Sequence, residues 1–172
     1  MLIGSQLINN NHKNPNFSHV WYGGRASAIA ALEQLSPQTT RYNRLTLINP
    51  DGQPLGPAIA AACRLHCKQH NLKFRTADSS LLDIGAGDLL VVAGINDLQS
   101  IISRCTAEHL TIGDNAGIIF WGNHQLLKYT AGGITSISVD YNKLSEYVAM
   151  FLLGNEHPHK ELDLHAINRC SV

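Results

Sequence analysis

The chain has 172 residues, 44% of them hydrophobic, and its 13 basic residues cancel its 13 acidic ones. This is enough for one domain, or two small lobes, with a real core, and the balance argues against nucleic-acid binding by this chain alone, because phosphate affinity is mostly positive charge. No apolar run approaches the ~20 residues of a membrane helix, the start MLIGSQLINNNHKN carries no secretory leader, and Cys63, Cys67, Cys105 and Cys170 lack a compact secreted-type spacing, so a cytoplasmic protein with reduced thiols and no membrane partner is expected.

In chain order, residues 9–16, NNNHKNPN, read as a polar loop. In GGRASAIAALEQLS, Ala and Leu recur at helical spacing after a Gly pair, which predicts a helix over Arg25–Leu35 ended by Ser36-Pro37. RLTLINP, 44–50, is a β-rich run closed by Pro-Asp-Gly. GPAIAAACRLHCKQHN, 56–71, is helical, with Pro57 tolerated in the first turn. LKFRTA is a short strand, and residues 79–87 are a connection. DLLVVAG, 88–94, is apolar nearly throughout, as in a strand buried on both faces.

NDLQSIISRCTAEHL, 96–110, is helical, with Asn96 or Asp97 as its N-cap. GIIFW, 117–121, is the next buried strand, and ITSISVD, 134–140, alternates as a strand does. NKLSEYVAMFLLG, 142–154, is an amphipathic helix closed by Gly154. Residues 155–160 read as a polar loop and LDLHAINR as a last edge strand. Strand and helix alternating at this spacing make an α/β protein, a parallel sheet flanked by helices on both faces.

In such a sheet ligands sit beyond the carboxyl ends of the strands. The turns after Ile48, Val92 and Phe120 then open onto one rim, which gathers Asn49, Asp51, Asn96, Asp97, Trp121, Asn123 and His124. Each has a plainer use. Gly122-Asn123-His124 is also an ordinary strand-ending turn. Asn96 and Asp97 also cap helices. Trp121 either stacks on a flat ligand or packs into the core.

The run CRLHCKQH sets Cys63, His66, Cys67 and His70 on one helical stripe. These are zinc-ligand types. Four side chains along one helix cannot surround an ion; at best one i, i+4 pair binds and the rest come from elsewhere. The expectation is that the cysteines pack inward with the histidines flanking them, and no metal is expected. The turn NPDG lacks the phosphate-loop pattern, and no G-x-S-x-G elbow exists. With Cys105 inside a helix, no catalytic group and no cofactor site emerges.

Several stretches match a known family in order. VWYGGRASAIAALEQL, VVAGINDLQSIISRC, IGDNAGIIFWGNHQLLKYTAGGITSISVDYNKLSEYVAMFLLGN and ELDLHAINRCSV together resemble the effector-binding domain of LacI-type transcription regulators, related to periplasmic sugar-binding proteins. The resemblance runs over roughly residues 17–172. It implies a periplasmic-binding-protein type I-like lobe with remnants of a second lobe. On that pattern residues 1–40 are a remnant of the N-terminal lobe, 41–134 the effector-binding lobe, 135–154 a strand and helix crossing back, and 155–172 an edge segment. The family domain is longer and follows a helix-turn-helix, so the chain reads as a C-terminal portion of a longer regulator.

By the same resemblance Asn96 falls on the effector-contacting Asn of the family's "ND" turn. The family's sugar-binding Asp falls near Gly122, with Asn123 beside it, and its Arg near Ala60 or Ala61, with Arg64 one turn on. The implied function is non-enzymatic sensing of a sugar-like effector by Asn96, Trp121, Asn123, His124 and Asp51, in a homodimer that reaches DNA only through a helix-turn-helix domain not present in this chain. The alternatives are a dimerisation module with a degenerate effector site and, last, a small α/β enzyme.

Overall fold

The computed structural model describes residues 2–5, 19–49, 56–78, 82–154 and 159–172. Among these residues are nine strands: β1 (Leu2–Ser5), β2 (His19–Tyr22), β3 (Arg44–Asn49), β4 (Lys73–Asp78), β5 (Asp88–Val92), β6 (Ala116–Trp121), β7 (Thr135–Val139), β8 (His159–Leu162) and β9 (Leu164–Ile167). The helices are α1 (Arg25–Glu33), α2 (Ser36–Thr39), α3 (Pro57–Gln69), α4 (Ile95–Ala107) and α5 (Tyr141–Leu152), with a 3₁₀ turn at Gln125–Lys128.

The strands form two sheets. One has six strands in the order β4-β3-β5-β6-β7-β9, parallel except for antiparallel β9. The other is parallel, in the order β1-β2-β8. Along β5 the side chains alternate between two cores. Leu89 and Val91 join Leu45, Leu47, Ala62 and Cys63 on the α1 and α3 side. Leu90 and Val92 join Leu98, Ile101 and Ile118 on the α4 side. Helices therefore cover both faces of the large sheet, which is why its central strands lack polar alternation.

Four expectations need correction. The first helix stops at Glu33, and Ser36-Pro37 opens a further turn instead of ending the helix, because Pro37 occupies a first-turn position whose N–H needs no partner. The N-cap of α4 is Gly94, not Asn96 or Asp97. Asp97 sits three residues in, buried, with its carboxylate over the Gly94 α-carbon, where negative charge meets the positive end of the helix. The loop drawn through residue 160 gives way to strand from His159. The last strand is two, split at Asp163 between the two sheets.

The outer edge of β9 is covered by α1. Leu164 N–H donates to Ser27 Oγ, and Ala166 N–H to Gln34 Oε1 at 3.0 Å. These bonds satisfy donors that would otherwise form an open sheet edge.

Candidate functional site

The two sheets meet at a cavity of about 270 Å³. From the small sheet come Tyr22 and Gly23, at the exit of β2. From the large sheet come Gly56, Ala58 and Ile59 at the start of α3, Trp121 and Gly122 at the end of β6, and Ser138, Val139 and Tyr141 at the end of β7. Ile137 and Leu164 complete it. All but Leu164 come from the carboxyl halves of parallel strands or from the residues just beyond them, the edge where an open α/β sheet binds ligands.

Gly122 shapes this corner. Its φ of +132° lies where a β-carbon is disfavoured, and its N–H donates to Ile137 O at 2.8 Å. The chain thereby leaves β6 sharply and turns the half-buried Trp121 towards the cavity. The lining is apolar and aromatic, with Ser138 and the two tyrosines as its hydroxyl groups and no charged side chain among the described residues. Ser138 Oγ is spent on the Val139 carbonyl at 3.3 Å. Such a surface suits a flat or ring-shaped neutral ligand better than an ion.

Of the expected site residues that the structure describes, Trp121 alone lines the cavity. Asn96 is exposed in the first turn of α4, and Asn123 and His124 are exposed after β6. The parallel pairing of β5 and β6, with Val92 opposite Phe120, sets all three beyond the same sheet edge. They do not line the described cavity. His124 Nδ1 accepts from Leu126 N–H at 3.2 Å and so caps the 3₁₀ turn. Asp51 lies outside the described residues.

Sequence reasoning passed over Tyr22 and Tyr141. The rule that gathered the turns after β3, β5 and β6 applies equally to the end of β7, so Tyr141 was findable. Tyr22 comes from the other sheet, and periodicity says nothing about how two sheets face each other.

In CRLHCKQH the cysteines do pack inward. Burial pushes the Cys63 thiol up to about 12 and the Cys67 thiol up to about 11, so both stay protonated and unreactive near neutral pH. The histidines do more than flank them, because both meet Glu33 of α1.

No protein-family model matches the sequence, and no curated protein matches it. Solved structures do. A LacI family transcriptional regulator from Arthrobacter superposes with a TM-score of 0.72 at 11% identity, over 99% of this chain and 70% of that one. A transcription-regulator-like protein from Staphylococcus haemolyticus gives 0.69 at 8%, over 90% and 61%. A LacI family transcriptional regulator from Enterococcus faecalis with bound ribose gives 0.66 at 14%, over 90% and 63%. This chain thus spans 61 to 70% of the length of these three. At such identities the likeness speaks for the fold: the chain has the α/β fold found in the LacI family of transcription regulators.

Proposed function

We propose that this chain is the ligand-sensing part of a LacI-like transcription regulator, taking a small neutral molecule, sugar-like in shape, in the cavity between the two sheets. No chemistry is performed. The observation that carries the reading is the cavity itself, at the carboxyl edge and walled by both sheets. Its volume falls just under the ~300–1,000 Å³ usual for ligand pockets. The ribose in the Enterococcus faecalis regulator supports the ligand class by analogy of fold.

In this reading Trp121 stacks on the ligand ring, while Asn96, Asn123 and His124, which do not line the cavity, would with Asp51 hydrogen-bond only a part of the ligand that extends beyond it. A ligand held by both sheets favours one arrangement of them over another, by as much as its affinity differs between the two. A helix-turn-helix domain outside this chain would feel that shift. Calorimetry against sugars, nucleosides and amino acids tests it. One class of ligand should bind saturably, and Trp121→Ala should weaken it by about tenfold. Silence across the panel, or binding indifferent to Trp121→Ala, sinks the reading.

A second reading, a dimerisation module with a degenerate effector site, draws on two observations. The cavity wall offers few free polar groups. The helix α5 has no buried residue and exposes Tyr141, Met150, Leu152 and Leu153.

A further inference from the structure

Away from the cavity, three side chains converge that the sensing reading leaves unused. Glu33 ends α1. Its Oε1 lies 2.9 Å from His66 Nδ1 on α3. Its two oxygens lie 3.1 and 3.0 Å from His70 Nε2, one turn further along α3. One ligand atom from each residue falls within 4.8 Å of the others. The His66 side chain is 1% exposed, His70 23% and Glu33 36%, so the cluster has a buried wall and an open front.

These are the distances of a metal site before its ion arrives. Zinc held by bonds of about 2.0–2.1 Å in tetrahedral geometry sets its ligand atoms roughly 3.3 Å apart. The carboxylate–imidazole separations are within a few tenths of an ångström of that, and the two imidazole nitrogens lie within 4.8 Å of each other. The two histidines stand at i, i+4, the spacing that aims two imidazoles at one point beside a helix. The third ligand comes from the neighbouring helix, which removes the objection that one stripe cannot surround an ion.

The surroundings suit ligation. His66 Nε2 lies 3.0 Å from the hydroxyl of buried Thr39, which itself faces Ser36 O at 3.5 Å. An imidazole that donates Nε2–H to Thr39 leaves its Nδ1 lone pair on the Glu33 side, which is the tautomer that ligation there would require. Burial holds His66 below the ordinary histidine range, against the opposing pull of Glu33. Burial works against ionisation of Glu33, but the hydrogen bonds of the two imidazoles outweigh it and keep the carboxyl below its usual value.

We propose that Glu33, His66 and His70 bind one divalent transition-metal ion of the zinc class, with a fourth position open to water. Two nitrogens and one oxygen favour zinc and its neighbours over the all-oxygen coordination of calcium or magnesium. In the ion-free protein His66 Nδ1–H and His70 Nε2–H donate to Glu33. As the ion binds, His66 carries its proton on Nε2 towards Thr39 and His70 carries its own on Nδ1, which leaves one nitrogen of each ring for the ion. The ion clamps the last turn of α1 to the last turn of α3. The first turns of the same helices lie beside the cavity at Gly23 and at Gly56–Ile59. The proposal does not depend on the sensing function.

The test uses the 172-residue chain, stripped with a chelator and titrated with Zn²⁺ against a chromophoric competitor at pH 7.5 (about one unit above the free histidine pKa). One equivalent should bind and raise the melting temperature. Glu33→Gln and His70→Ala should each weaken Zn²⁺ binding by at least about tenfold, and Thr39→Val by about 10- to 100-fold through the lost support of His66. His109→Asn, at an exposed histidine elsewhere, should leave it unchanged. Co²⁺ in the same site should show visible bands without a near-ultraviolet thiolate transition. Glu33 and His70 are partly exposed, so their variants should stay folded by circular dichroism; if His70→Ala does not, Glu33→Gln decides alone. Absence of a tight equivalent, an affinity indifferent to Glu33→Gln, or a thiolate band from the cysteines each overturns the proposal.

Discussion

Ser171 shows how much one small polar side chain can hold. It is fully buried. Its Oγ donates to Ile118 O at 2.6 Å and accepts from Thr135 N–H at 2.8 Å, while its carbonyl accepts from Ile118 N–H at 2.8 Å. The residue thus closes the gap between β6 and β7 below the point where those strands pair directly, Ile119–Trp121 with Thr135–Ile137. Ser171→Ala removes both hydroxyl bonds and leaves a buried donor and a buried acceptor unmet. A loss of roughly 2–3 kcal/mol in urea unfolding is expected, since each orphaned group costs about 1–3 kcal/mol; a loss below about 0.5 kcal/mol would show that the groups find other partners. The family-like ending ELDLHAINRCSV pointed to the segment but not to this role. A serine near a chain end looks like surface, and nothing local reveals a contact with Ile118, 53 positions away. Trp121 was legible for the opposite reason. Its place at the end of a buried strand fixes the rim on which it sits, while the facing Tyr22 depends on how two sheets meet.

Among the elements, the central strands were the most legible, because burial on both faces writes a continuous apolar run. The strand β7 was misleading within a correct assignment. ITSISVD alternates, yet Thr135 through Val139 are all buried. The reason lies in the partners. Arg169 Nη1 donates to Ser136 Oγ at 3.1 Å, Thr135 Oγ1 accepts from Arg169 N–H at 2.9 Å, and Ser138 satisfies itself on a backbone carbonyl. The polar positions are covered by the returning chain instead of by water. The split of β8 from β9 at Asp163 was illegible, since both halves have strand composition and the break is one residue long. The helix α5 starts from a side-chain cap that the sequence reading did not name. Asp140 accepts from Asn142 N–H at 2.9 Å and Lys143 N–H at 3.2 Å. Asp140→Ala should cost about 1 kcal/mol of stability by removing that cap, whereas Asp140→Asn should retain most of it. Equal losses from both would locate the effect in charge instead of in hydrogen bonding.

For the whole molecule, the α/β class and the common rim followed from alternation alone. The cluster of Glu33, His66 and His70 did not, because it arises only when α1 lies along α3, and no spacing within either helix records that packing. The exposed face of α5 bears on assembly. Leu152 and Leu153 are 75% and 73% exposed, and burying one such side chain contributes about 1.5–3 kcal/mol. If this face joins two copies, sedimentation velocity should show a dimer that Leu152→Glu with Leu153→Glu dissociates; a monomer at high concentration rules the dimerisation module out. No helix among the described residues is long and apolar enough to cross a membrane.

The split at Asp163 has a mechanical corollary. Leu162 belongs to one sheet and Leu164 to the other, and only Asp163 stands between them, two peptide steps of about 3.8 Å each. Along this border the two sheets cannot draw apart. In the proposed sensing role, a rearrangement of the sheets around a ligand would therefore keep them joined at Asp163.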